Sequence, residues 1–234
     1  MTSTLPHDAV AHQLTDYKPP PHKGLDLLYQ DEHFLVVNKP SGLLSVPGRG
    51  EHVRDSMATR VQDAFPQALI VHRLDMPTSG LLIMALSPQA HRDLSKLFET
   101  RQVHKRYVAV VAGVMAPTQG EVELPLITDW PNRPRQKVDW DTGKPALTRW
   151  RVAPIDEPPG IPHTTRVELE PVTGRSHQLR VHMMSIGHAI VGDPLYASAE
   201  VRDLSPRLLL HAAELALPHP HTGKLVQLCS PAPF

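Results

Sequence analysis

Apolar residues follow two spacings along this chain, and the switches between them mark its elements. Short apolar runs at 25–29 and 34–38 flank Asp31-Glu32-His33, which predicts two paired strands across a tight turn. Val53, Met57, Val61 and Phe65 recur at helical spacing ahead of Pro66 and predict a helix over 52–65. The run at 80–86 has the length of a buried strand. Ser87 then offers a cap and Pro88 a first position for a helix that turns Ala90, Leu94, Leu97 and Phe98 inward. Further strands are expected at 105–112, 120–126, 136–141, 146–153, 164–170, 208–216 and 224–229, the last two joined by a turn over 218–223, and a helix at about 176–186. Strands outnumber helices without alternating regularly with them. The expected fold is therefore α+β, a mixed, mainly antiparallel sheet with flanking helices, rather than a doubly wound one.

Residues 1–23 show no periodicity and are rich in His and Pro, so they are expected to form a disordered or loosely attached tail before one domain over 24–234. The chain of 234 residues is long enough for a sizeable core. Cys229 is the single cysteine, which excludes an internal disulfide and suits a reducing cytoplasm. No apolar run approaches the ~18 residues of a membrane helix, and neither a membrane span nor a secretory signal is expected. Formal net charge is zero, but the basic residues cluster. Arg101, His104, Lys105 and Arg106 form one group; Arg133, Arg135, Lys137, Lys144, Arg149 and Arg151 form another, interleaved with Trp130, Trp140 and Trp150. Each cluster taken alone reads as a solvated strand face. The acids are enriched elsewhere, so the distribution of charge matters more than its sum for a phosphate-bearing partner.

Two segments carry candidate chemistry. His72-Arg73-Leu74-Asp75-Met76-Pro77-Thr78-Ser79-Gly80 places one carboxylate between a basic pair and a turn, where Pro77 disfavours a helix interior. An Asx turn or a helix cap is the plain alternative for Asp75. About a hundred residues on, Gly174-Arg175-Ser176-His177-Gln178-Leu179-Arg180-Val181-His182 brings two guanidiniums and two imidazoles into a short helical run. His177, Arg180 and Met184 share one face, and Leu179, Met183 and Ile186 share the other, which is expected to be buried. An amphipathic helix with a solvated basic face would show the same pattern.

Together these segments resemble the signature of the RluA-type pseudouridine synthase family. The likeness extends to residues 31–43, with Asn38-Lys39-Pro40-Ser41-Gly42-Leu43, to Lys105-Arg106-Tyr107-Val108-Ala109, and to Arg207-Leu208-Leu209-Leu210-His211-Ala212. It covers roughly residues 25 to 234. Residues 124–138 and 142–146 are most similar to the branch of the family that modifies both large-subunit (23S) ribosomal RNA and the tRNA anticodon stem-loop. The departures are the longer N-terminal tail and a proline-rich insertion at 154–162. The resemblance implies a two-lobed fold with RNA in a cleft and Asp75 as the catalytic carboxylate. It implies that Arg180 is that carboxylate's partner, that Arg73 occupies the stack vacated by a flipped base, and that Tyr107 stacks on the uracil. His72, Arg175 and His177, with Arg133, Arg135 and Lys137, are expected to contact RNA.

Isomerising uridine breaks N1–C1′, turns the base and joins C5 to C1′, with no redox change, so no cofactor or metal is expected. A carboxylate can serve as nucleophile or as the base that forms a glycal. Either role needs an ionised group in a water-poor cleft and hence a buried cation, for which a guanidinium supplies charge and a fixed fork. Rival classes lack their motifs: there is no His-Glu-x-x-His, Cys-x-x-Cys or Gly-x-Ser-x-Gly. Two alternatives remain, the same reaction on a single RNA and a noncatalytic RNA-binding protein with this fold. A monomer without an obligate protein partner is expected.

Overall fold

In the computed structural model, which describes residues 17–153 and 161–234, Asp31 closes the first turn. Its Oδ1 accepts from the backbone N–H groups of His33 (2.7 Å) and Phe34 (2.9 Å), and Tyr29 donates its hydroxyl to Oδ2 at 2.5 Å. This folds β1 (Leu27–Gln30) back onto β2 (Phe34–Lys39). The short β3 (Leu69–Ile70) and the long β2 both pair with β4 (Ser79–Ala85), whose seven residues are all buried. Strand alternation sends β4 side chains into two cores. Leu82 and Met84 join Leu35, Val37 and α1 (Met57–Ala64); Leu81, Ile83 and Ala85 join Phe34, Val36 and α2 (Pro88–Glu99). Helix α2 is capped by Ser87 with Pro88 in its first turn, as the sequence predicts. Helix α1 is shorter than its periodicity suggests. Ser56 is extended and forms a capping box with Thr59, so the helix cannot begin before Met57, and Val53 belongs to a separate 3₁₀ turn, Glu51–Val53.

The second half comprises β5 (His104–Ala112), β6 (Gln119–Glu123), β7 (Leu126–Thr128), β8 (Gln136–Val138), β9 (Leu147–Val152), β10 (Thr164–Pro171), α3 (Gln178–Ser185), α4 (Ala199–Arg202), β11 (Leu210–Pro218) and β12 (Leu225–Cys229). The sheet runs β1-β2-β4-β11-β5-β10-β9-β6, with β12 beside β11 and β3 beside β4; β7 and β8 form a separate hairpin. Its only parallel pairing among the described strands is β11 on β4, so the sheet is mixed and mainly antiparallel as expected. The run predicted as one strand over 120–126 breaks at Pro125, which has no N–H for a ladder. The strand expected over 136–141 stops at Val138, because the Asp139 carboxylate captures the N–H groups of Asp141 (3.2 Å) and Thr142 (2.9 Å) in a turn.

The parallel β4–β11 contact joins the two halves. Gly80 lies there at φ +114°, and a Cβ on it would fall 2.3 Å from the Ala212 carbonyl oxygen, so a glycine is what lets the strands approach. Tyr107 of β5 packs against both the α1 core and the core that holds Leu179 and Met183 of α3. The tail boundary moves. Residues 17–20, expected in the loose tail, are tied to the body: the Tyr17 hydroxyl donates to the Asp55 carbonyl (2.9 Å) and accepts from Leu44 N–H (3.0 Å), and Arg60 donates to the Pro20 carbonyl (2.6 Å). Of the expected tail, residues 1–16 lie outside the described residues, as does most of the proline-rich stretch at 154–162.

Two histidines are built in as neutral groups. His72 Nε2 accepts from Ile83 N–H at 3.0 Å while its ring stacks on Phe98 at 4.8 Å. His211 Nδ1 meets Ser79 Oγ at 2.8 Å and Nε2 meets the Ser230 carbonyl at 3.1 Å. Burial, with the nearby charge of Lys105, pushes His72 down to about 3; burial, less the help of the Ser230 carbonyl, pushes His211 down to about 4. The unfolded chain therefore takes up protons below about pH 6.5 that the folded chain refuses. Stability is expected to hold above pH 6.5 and to fall as pH drops from there, the contribution of His211 levelling off below about 4 and that of His72 below about 3. The slope expected is roughly 1.4 kcal/mol per pH unit for each such histidine, read from urea midpoints across pH 4–8.

Candidate active site

The Asp75 loop is held from below by backbone contacts rather than by its own carboxylate. Lys39, fully buried, donates to the carbonyls of Pro40 (3.0 Å), Leu43 (2.6 Å) and Met76 (3.1 Å). Burial lowers its ammonium to about 7 against the pull of Asp75. Ser41 Oγ donates to the Pro77 carbonyl (2.7 Å), and Ser45 Oγ donates to the Leu74 carbonyl (2.7 Å) and accepts from Leu74 N–H (3.0 Å). Thr78 N–H closes the turn on the Asp75 carbonyl at 3.1 Å. Among the described residues the Asp75 carboxylate caps no backbone N–H, which removes the Asx-turn and helix-cap readings. Its hydrogen bond comes from Arg180 Nη1, to Oδ2 at 3.1 Å.

Arg180 does more than the sequence suggested. Its fork is spent on Asp193, with Nε to Oδ2 and Nη2 to Oδ1 both at 2.8 Å, and only Nη1 reaches Asp75. The expected bidentate Asp75–Arg180 pair is therefore a three-membered array. Burial opposes the charge on Arg180, and the hydrogen bonds and charges of Asp193 and then Asp75 outweigh it, holding its pKa above the ordinary value. Asp193 is fully buried and also accepts from the N–H groups of Leu195 (2.8 Å) and Tyr196 (3.1 Å). The sequence reading missed it because Gly192-Asp193-Pro194 looks like simple turn punctuation. The one available signal was an acid placed shortly after a helix whose arginine needed a partner.

Helix α3 is not amphipathic in the expected sense. Gln178, Leu179, Arg180, Val181, His182 and Met183 are all buried, while Ile186, expected inside, is exposed. The polar members are satisfied at a distance: Gln178 donates to the Leu147 carbonyl and Thr148, and His182 bonds Thr148 Oγ1 and the Leu124 carbonyl. His177, at the helix start with φ +53°, turns its ring inward. Its Nδ1 lies 2.7 Å from Tyr196 Oη and its Nε2 lies 3.9 Å from Asp75 Oδ2. Burial lowers its pKa, with Asp75 acting in the opposite sense, which favours the neutral ring.

A cleft of about 1070 Å³ runs over these groups. Tyr107 lines it; burial first and the Asp75 charge second raise its hydroxyl pKa and keep it a proton donor. Arg73, Arg101 and Arg175 stand exposed on the rim, unpaired with any carboxylate among the described residues. His72 lines the same cleft, but as a neutral acceptor under Ile83 it brings no cation to a phosphate. Arg133, Arg135 and Lys137 sit together on the β7–β8 hairpin. The Arg133 guanidinium lies 4.2 Å from the Trp130 ring centre, Arg135 is exposed, and Lys137 pairs with Asp139 at 3.2 Å. The wider basic clusters are partly spent inside the sheet: Glu168 takes both Arg106 and Arg151, Glu214 takes Arg106, and Glu121 takes Arg149. Glu168, one of the acids expected to lie elsewhere, is instead a cross-strand partner of Arg106 and Arg151.

The structure thus brings together a carboxylate held by a buried guanidinium, a tyrosine in the same cleft and a cationic rim. The family described as RNA pseudouridylate synthase matches residues 33–185. The chain belongs to that family. The synthase is 53% identical over 94% of its length to the Dual-specificity RNA pseudouridine synthase RluA of Escherichia coli K12, of which it covers 99%, and 51% identical over 94% to the protein of the same name from Vibrio cholerae, covering 88%. Among solved structures it is similar to Human RNA Pseudouridylate Synthase Domain Containing 1, with a TM-score of 0.77 at 30% identity over 93% of this chain and 87% of that one. The described residues contain no helix long and apolar enough to cross a membrane.

Proposed function

We propose that the synthase isomerises one uridine in a hairpin of large-subunit ribosomal RNA and one in the tRNA anticodon stem-loop, acting in the cytoplasm as a monomer. The observation that carries this reading is the 53% identity, end to end, with a relative named for dual specificity, combined with an intact Asp75–Arg180 array. In this reading Arg73, exposed at the rim beside Asp75, fills the stack left by the extruded base, since a planar cation suits both bases and phosphates. Tyr107 stacks on the uracil and exchanges a proton through its hydroxyl. Arg180 holds Asp75 Oδ2 and leaves the other oxygen free to face the sugar or base. Arg101 and Arg175 meet phosphates at the cleft edge.

Substrate choice is assigned to the β7–β8 hairpin, where Arg133 and Arg135 flank Pro134, the hairpin residue that reaches the cleft. Proline limits the conformations the hairpin must give up on binding. Recognition of a loop's contour can serve two RNAs that adopt one bound shape. The purified enzyme is therefore expected to modify isolated stem-loops of both kinds without other proteins, and Arg133→Ala with Arg135→Ala to weaken both by a similar factor, about tenfold. Single-turnover tritium release from C5-labelled RNA checks this. Modification of one stem-loop alone would reject the dual assignment and leave the reaction class standing.

A further inference from the structure

The hairpin assigned to RNA recognition is wired to the catalytic carboxylate through two side chains. Gln136, the residue after Arg135, donates its backbone N–H to Tyr196 Oη at 2.7 Å. Tyr196 Oη in turn lies 2.7 Å from His177 Nδ1, and His177 Nε2 faces Asp75 Oδ2 at 3.9 Å. The proton order follows from what each end requires. Were Nδ1 to carry the hydrogen, the Nε2 lone pair would face the Asp75 carboxylate and repel it. The arrangement of lower energy has the Tyr196 hydroxyl donating to Nδ1 and Nε2–H directed at Asp75. At 3.9 Å that last link is too long for a hydrogen bond and about 1 Å from becoming one.

Tyr196 is itself fixed from behind. Its N–H is bound by Asp193, and its ring centre lies 5.0 Å from the Arg180 guanidinium carbon and 5.8 Å from that of Arg135. Movement of the hairpin therefore reaches His177 through an anchored ring rather than a loose one. The charged groups around His177 are Asp75, Arg180 and Asp193, with Arg135 lying 5.8 Å from the Tyr196 ring centre.

We propose that Tyr196 and His177 are positioning residues that couple the seating of RNA on the β7–β8 hairpin to the orientation of Asp75. RNA bound at Arg133 and Arg135 presses Gln136 onto Tyr196, His177 closes on Asp75, and the carboxylate, already held by Arg180, gains its second contact only when the correct loop is in place. The inference rests on the pseudouridine synthase reading and adds to it a step in which recognition changes the rate.

The test is a double-mutant cycle with a C5-tritiated stem-loop, reading the single-turnover plateau rate and the RNA dissociation constant separately. Tyr196→Phe keeps the ring over Arg180 and loses both hydroxyl bonds. His177→Asn keeps an acceptor near the Nδ1 position, suits the left-handed backbone, and falls short of Asp75. Each is expected to lower the plateau rate about tenfold while affinity stays within threefold, and the double variant to be no slower than either single one by more than threefold. Multiplied losses in the double variant, or an unchanged rate in Tyr196→Phe, would overturn the relay. The wild-type enzyme run beside them separates the two readings: no turnover there overturns the proposed function, whereas full turnover by Tyr196→Phe overturns the relay alone.

Discussion

Replacing Asp75 with Asn is expected to abolish isomerisation and to leave RNA affinity within about tenfold of the wild type. The amide has the volume of the carboxylate, and the loop beneath it does not depend on the side chain, since Lys39, Ser41 and Ser45 hold it through backbone carbonyls. What disappears is the anion that either chemical route requires, and Asp193, which shares Arg180 with it, is fully buried and already occupied. Tritium release from C5-labelled RNA beside filter binding separates chemistry from affinity. Appreciable turnover by this variant would remove Asp75 from the mechanism.

Arg180→Met is expected to cost both activity and stability. Arg180 is 2% exposed, and its removal strands Asp193 as a buried anion without a cation, a loss of about 3–5 kcal/mol by comparison with broken buried pairs. Asp75 loses its guanidinium at the same time. Adding Asp193→Asn to Arg180→Met is expected to recover part of the stability and none of the activity, because the amide can be left unpaired by charge while Asp75 still lacks its partner. Arg180→Lys gives partial rescue at best, since one ammonium cannot fork to Asp193 and also reach Asp75. Urea midpoints with single-turnover rates check both halves. If Arg180→Met lost only RNA affinity and kept its plateau rate and stability, Arg180 would be a phosphate contact.

The sequence carried those parts of the fold that depend on local chemistry. The unbroken apolar run of β4, the Ser87-Pro88 start of α2 and the Asp31 turn are legible because each element's signal lies within it. The start of α1 was misplaced because Val53 shares the helical spacing while the Ser56 capping box decides where the helix begins. The buried polar face of α3 was not legible at all: Gln178 and His182 are tolerated inside because Thr148, Leu147 and Leu124 arrive from elsewhere in the chain. The same limit hid Asp193, which lies thirteen residues beyond Arg180 and meets it only after the turn at Gly192. It also hid the neutralisation of Arg106 and Arg151 by Glu168, a consequence of strand register that no one-dimensional charge pattern contains.

If this chain converts specific uridines by means of Asp75, the pseudouridine content of cellular RNA depends on that carboxylate. Carbodiimide-based mapping of pseudouridine in total RNA, from cells lacking the chain and from cells supplied with wild type or Asp75→Asn, tests it directly. The expected result is that defined sites in large-subunit ribosomal RNA and in tRNA anticodon stem-loops lose their signal in the deletion, regain it with the wild type and stay empty with Asp75→Asn. An unchanged pseudouridine map in the deletion, or full restoration by Asp75→Asn, would contradict the account.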